Sequence, residues 1–83
     1  MNVGDIVTQN DHFFQHFKCD VFYLKITRID NEDIVYLEKN ITINKLYDPY
    51  ISVECNDFHI GFLKVDISRN RKEKLKKLNS IIN

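Results

Sequence analysis

Glycine and cysteine are scarce in this chain, and their scarcity excludes several kinds of site. The 83 residues include two glycines and two cysteines. Two glycines cannot build a glycine-rich loop that holds phosphates through successive main-chain amides. Small domains held together by disulfides normally carry four or more cysteines, so we expect Cys19 and Cys55 to be reduced thiols.

Long apolar runs are also missing. No stretch approaches the roughly 20 apolar residues that a bilayer-spanning helix needs. Residues 1–5 show neither the basic region nor the apolar stretch of an export signal. These features predict a cytoplasmic protein that does not bind a membrane.

Alanine is absent, whereas isoleucine (11), asparagine (9) and lysine (9) are abundant. The abundant residues have A+T-rich codons. The composition therefore predicts an A+T-rich coding genome, as in low-GC bacteria and in their phages and mobile elements.

Large apolar side chains are present in quantity. Hydrophobic residues make up 43% of the chain, and the aromatics include six Phe and four Tyr. This content argues against disorder, because the aromatic rings supply the buried area that a small domain needs. The length allows one modest core.

Short runs rich in Val, Ile, Thr, Tyr and Phe alternate with polar turns and predict β-strands through most of the chain. We expect strands at 5–9, 20–29 and 34–39, with a turn at 30–33. Pairing across that turn places Ile26 opposite Leu37 on an apolar face. Lys25 then faces Glu38, and Thr27 faces Tyr36, on a polar face.

A second hairpin is predicted around a two-residue turn at Asn56 and Asp57, since both residue types tolerate positive φ. The flanking strands would be 51–55 and 58–67. The predicted pairs are Cys55 with Phe58, Val53 with Ile60, and Ile51 with Phe62, all on one face. The apolar positions change from even to odd after Gly61, which predicts a bulge or sharp bend. A further strand at 41–47 would end at Asp48 and Pro49.

These elements predict a mainly β fold: a small antiparallel curled sheet or SH3-like barrel of five to six short strands, followed by a C-terminal helix. The opening Val3-Gly4-Asp5-Ile6-Val7 resembles the start of many SH3-like barrels. The expected organisation is a single domain, with a β-rich body at 1–67 and a basic helix at 68–83. A fold-level resemblance implies nothing about function.

Charge divides at the same boundary. Residues 64–83 carry seven Lys and Arg against two acids, a net charge of +5, whereas residues 1–63 have a net charge of −5. Asn70 and Glu73 resemble a helix-capping box, and Leu75, Leu78 and Ile82 form one apolar stripe. Either the stripe packs on the sheet and the lysines are solvated, or the helix is a docking element.

As a docking element, the helix would bind a partner protein through a defined residue set. The predicted binding residues are Arg69, Arg71, Lys72, Lys74, Lys76, Lys77, Leu78 and Ile82. Nucleic acid is the alternative partner. It is less favoured because residues 68–83 contain no aromatic side chain and the acidic β body would repel phosphates.

One group of metal-ligand residue types occurs, at His12, His16 and Cys19. If Asp11 caps a short helix, these three side chains share one helical face. Cys55 or His59 could supply a fourth ligand, but the predicted hairpin places them on opposite faces. Solvent-facing histidines beside anchoring phenylalanines are therefore the favoured interpretation, and no metal or cofactor is expected.

Catalytic motifs are not found. The three serines, Ser52, Ser68 and Ser80, lie outside any nucleophile-elbow or phosphate-loop context. We therefore predict a non-catalytic binding module, encoded by a phage or mobile element, that binds and modulates a host protein. A nucleic-acid-binding barrel and a small metal-dependent enzyme that uses His12, His16 and Cys19 are the alternatives.

Overall fold

The fold is described from a computed structural model, which gives the backbone of residues 1–82 and the side chains of residues 1–48 and 50–76. The described backbone forms six strands, two α-helices and one 3₁₀ turn. In chain order these are β1 (Ile6–Gln9), α1 (Asp11–His16), β2 (Phe17–Lys18), β3 (Leu24–Asp30), β4 (Ile34–Lys45), β5 (Asp48–His59), the 3₁₀ turn (Ile60–Phe62), β6 (Leu63–Val65) and α2 (Ile67–Ile82).

The strands form one antiparallel sheet in which β1 lies between β3 and β6. Strand β4 pairs with β5 on one side, and with both β3 and the short β2 on the other. The register of β4 shifts against both β3 and β5, and the sheet curls into a half-barrel. The predicted fold class, mainly β with a C-terminal helix, is confirmed.

Phe13 of α1 lies at the centre of the core and is fully buried. Its ring lies 5.3–6.4 Å from the rings of Phe17, Phe22, Phe58 and Phe62. The described buried apolar side chains are Val7, Phe13, Phe22, Leu24, Ile26, Val35, Leu37, Ile43, Phe58 and Leu63. The phenylalanines therefore supply much of the core, as the composition predicts.

The hairpin between β3 and β4 turns through Asn31 and Glu32, whose φ angles are 51° and 65°. Such a turn matches the twist of the paired strands. Ile26 faces Leu37 as predicted. Beyond that pair the register shifts at a bulge, so Tyr36 faces Arg28 and not Thr27.

The predicted turn at Asn56 and Asp57 is wrong. Both residues lie inside β5, which pairs with β4 on either side of Asn56, and the turn between these strands is at Leu46 and Tyr47. Asn56 lies at a register shift of the ladder, where its side-chain amide donates to the carbonyl of Leu37.

The pairs predicted for that hairpin are therefore also wrong. Cys55 faces Ile41 and Val53 faces Ile43, and Phe58 faces Val35. Ile51 and Val53 are largely exposed, so Val53 is not a core residue, while Ile60 and Phe62 are half-buried beside the core. The bend predicted beside Gly61 exists and is the 3₁₀ turn at Ile60–Phe62.

The molecule is elongated, with extents of 52 × 26 × 20 Å and a radius of gyration of 14.5 Å. A compact domain of this length would have a radius of gyration of about 12 Å. The part of the chain that the structure describes contains no helix with the length and apolar character needed to cross a bilayer.

Candidate functional site

Helix α2 begins at Ile67, one residue before the predicted bound, and its cap is Asp66 and not the predicted Asn70. The Asp66 carboxylate accepts a hydrogen bond from the main-chain amide of Arg69 at 3.0 Å. Asn70 instead bonds to β1: its Oδ1 accepts from the amide of Ile6 at 2.8 Å, and its Nδ2 donates to the carbonyl of Ile6 at 3.0 Å. The first turns of the helix are thus fixed to the edge of β1.

Two further contacts attach the same side of α2 to the sheet. The Lys25 ammonium lies 3.4 Å from the Glu73 carboxylate, and the Arg69 guanidinium lies 3.6 Å from the centre of the Tyr23 ring. An exposed ion pair contributes about 0–1 kcal/mol, and an exposed cation–π contact about 0.5–1 kcal/mol. Helix α2 is therefore attached to the body by polar and charged side chains.

Leu75 lies on the opposite side of the helix. At 100° per residue it falls about 140° from Asn70 and about 160° from Glu73, whereas Ile67 falls about 60° from Asn70. The side chains of Ile67 and Leu75 are 63% and 58% exposed. The interpretation in which the stripe packs on the sheet is therefore wrong for Leu75. Lys77, Leu78 and Ile82 were also predicted to bind the partner, and their side chains lie outside the part that the structure describes.

The predicted basic residues of α2 differ in their surroundings. Arg69 is engaged by Tyr23 and by Asp66, whose carboxylate lies 3.8 Å from its Nε. Arg71, Lys72, Lys74 and Lys76 are exposed. Within residues 1–76, the first three of these have no ion-pair partner. The structure therefore presents their positive charge to solvent.

An open groove of about 490 Å³ adjoins the start of α2. Its apolar wall consists of Phe14, Val21, Tyr23 and Ile67, each between 41% and 63% exposed. Lys64 and Asp66 add one positive and one negative charge to the lining. The groove thus continues from Ile67 of α2 onto α1 and the segment before β3.

Gln9 fixes the segment that carries Val21. Its buried side-chain amide donates to the carbonyl of Asp20 at 2.7 Å and accepts from the amide of Phe22 at 3.0 Å. Sequence reasoning missed this groove, because its wall comes from α1, the segment before β3, and the start of α2.

The predicted metal-ligand stripe is not assembled in the structure. Asn10, not Asp11, caps α1, and the helix ends at His16, so Cys19 is not on it. The His12 and His16 rings lie 4.7 Å apart, and His12 stacks on Phe62 at 4.9 Å. The described residues contain no group of three or more His, Cys, Asp or Glu side chains placed to hold a metal ion.

The cysteines and His59, considered above as possible metal ligands, have separate environments. The Nδ1 of His59 accepts a hydrogen bond from the amide of Gly61 at 3.0 Å. Burial raises the pKa of Cys55, and the Asp57 carboxylate raises it further. Burial and Asp20 likewise raise the pKa of Cys19. Neither thiol therefore has the lowered pKa that is typical of a reactive cysteine.

Comparisons of the chain with protein-family models, with curated proteins and with solved structures gave no match.

Proposed function

We propose that this protein is a non-catalytic binding module that docks a partner protein through the outward face of α2 and the adjoining groove. The partner fits this surface if it carries an apolar groove with an acidic rim. The abundance of residues with A+T-rich codons supports a phage or mobile-element origin. The partner would then be a host protein.

The observation that carries the proposal is the orientation of α2. Surface helices normally bury their apolar stripe against the domain. Here Asn70, Glu73 and Arg69 face the body, and Leu75 faces solvent. Burial of apolar area contributes about 25 cal/mol per Å². A complex in which a partner covers this face is therefore stabilised by burial that the isolated chain lacks. Helices bind apolar grooves in this way through side chains at helical spacing.

The basic residues of α2 favour an acidic partner surface. Arg71, Lys72 and Lys74 flank the apolar face and favour acidic residues around the groove that receives it. Nucleic acid fits less well, because no aromatic side chain follows Lys64 to stack on bases and the ring of Tyr23 is covered by Arg69.

The test uses exposed positions, so that the variants keep the fold. The purified protein is used to capture partners from a lysate of an A+T-rich bacterium, with and without nuclease. Leu75→Gln should abolish capture, while the matched change Leu46→Gln, at the turn between β4 and β5, should leave it intact. The double variant Lys72→Glu, Lys74→Glu should fail, and Lys39→Glu, Lys45→Glu should not.

Salt dependence then separates protein from nucleic acid. A complex in which four basic groups contact phosphates loses affinity with a log–log salt slope of about −3 to −4, because counterions are released. A protein groove that grips Leu75 should show a shallower slope. Capture that survives Leu75→Gln, or that disappears with nuclease, would show the proposal to be wrong.

A further inference from the structure

Strand β5 forms one edge of the sheet. It is 12 residues long, and within residues 1–82 it pairs only with β4. An edge strand presents unpaired amides and carbonyls that can hydrogen-bond another extended chain. This edge is independent of α2, which is attached at β1.

Apolar side chains are exposed along this edge. Tyr50, Ile51 and Val53 are 96%, 50% and 42% exposed. Val53 faces Ile43, which is buried in the core, so the two share the inner face of the half-barrel. On the outer face Ser52 is next to Asn44. A strand added at β5 would therefore meet Val53 on its inner side and the polar pair Ser52 and Asn44 on its outer side.

β5 lacks the lysine side chains that usually prevent an edge strand from pairing with another chain. Lysine side chains commonly guard such edges, but residues 48–59 contain no Lys or Arg. They do contain three acids, Asp48, Glu54 and Asp57.

The three acids decide which strand can bind. In an antiparallel pair of two β5 strands centred on Val53, Asp57 of one copy would lie beside the Asp48 end of the other, and like charges repel. A positively charged segment would instead be attracted. We infer that the β5 edge is a second docking surface, which binds an extended, Lys- or Arg-rich segment of a partner protein with apolar residues at alternate positions.

A designed decapeptide of alternating Lys and Val is the probe, and its binding is measured by calorimetry and by hydrogen exchange of the β5 amides. A peptide with the same composition, but with Lys and Val in separate blocks, is the control for charge alone. The alternating peptide should bind and slow exchange at residues 50–55. The block peptide should bind at least about tenfold more weakly, because it cannot place Val on one face.

Two substitutions of opposite charge at Val53 test whether the peptide binds at β5. Val53→Lys should weaken binding at least about tenfold, and Val53→Glu should not. Should either variant unfold, Ser52→Lys and Ser52→Glu repeat the comparison on the outer face. Leu75→Gln in α2 should leave peptide binding unchanged, which separates this proposal from that for α2.

Three results would overturn the inference. The first is equal binding of the alternating and block peptides. The second is exchange protection outside β5. The third is a dimer in sedimentation that Val53→Lys abolishes, since the occupant of the edge would then be a second copy of the chain.

Discussion

The side chain of Asn70 pairs with the main chain of Ile6 as a neighbouring strand would, accepting from its amide and donating to its carbonyl. The carbonyl of Ile6 also accepts a hydrogen bond from the amide of Asp66 at 2.9 Å. The amide of Ile6 donates to the Asn70 side chain. One side-chain amide thus continues the sheet ladder into helix α2.

Replacing Asn70 by Ala should lower the free energy of unfolding by about 1–3 kcal/mol, because it leaves the part-buried amide of Ile6 without an acceptor. Urea denaturation measures the change. The matched variant Asn40→Ala, at an exposed position of β4, should change stability by less than about 0.5 kcal/mol. Equal effects of the two variants would show that the Asn70 pair does not hold the helix.

Phe13→Ala should be more destabilising than Phe62→Ala. Phe13 is fully buried among five other phenylalanine rings, whereas Phe62 is half-buried at the edge of the core. A fully buried phenylalanine contributes about 3–5 kcal/mol, a large share of the stability of a small domain. Thermal unfolding of both variants checks the order, and a lower melting temperature for Phe62→Ala would contradict the packing described here.

The protein should contain no structural zinc, because Cys19 lies off the helix that carries His12 and His16. Metal analysis of the purified protein should find no stoichiometric zinc, and a chelator should leave the melting temperature unchanged. One equivalent of zinc that is lost together with the fold would refute this prediction.

Stability should fall as the pH rises above the unfolded-state cysteine pKa of about 8.5. Burial raises the folded-state pKa of Cys19 and Cys55, so above that pH the unfolded chain binds fewer protons than the folded protein. The wild type should therefore lose more stability between neutral and alkaline pH than the Cys19→Ala, Cys55→Ala variant. Urea denaturation at both pH values measures the difference, and parallel losses would contradict it.

Local patterns predicted the parts of the fold that depend on near neighbours. The alternation around Ile26 and Leu37 placed those residues on one apolar face, and the change of parity after Gly61 marked the bend. The basic stretch after Val65 predicted α2 to within one residue at its start. In each case the signal and the structure that it specifies lie within a few residues.

The second hairpin could not be assigned in this way. Val53, Cys55 and Phe58 give the same alternation whether the chain turns at Asn56 or continues as one strand. The deciding contact is made by β4, whose register shift is filled by the Asn56 side chain. The orientation of α2 was equally hidden, because it depends on Asn70 and its distant partner Ile6.

The bonds between Ile6 and Asn70 also set an order of assembly. They join positions 64 residues apart, whereas β3, β4 and β5 follow one another along the chain. Closing a long loop costs more entropy than forming a local hairpin, so the three consecutive strands are expected to fold first. Pulsed hydrogen exchange should then protect the amides of β4 before that of Ile6. During synthesis β1 remains without β6 and Asn70 until the residues that carry those contacts have left the ribosome.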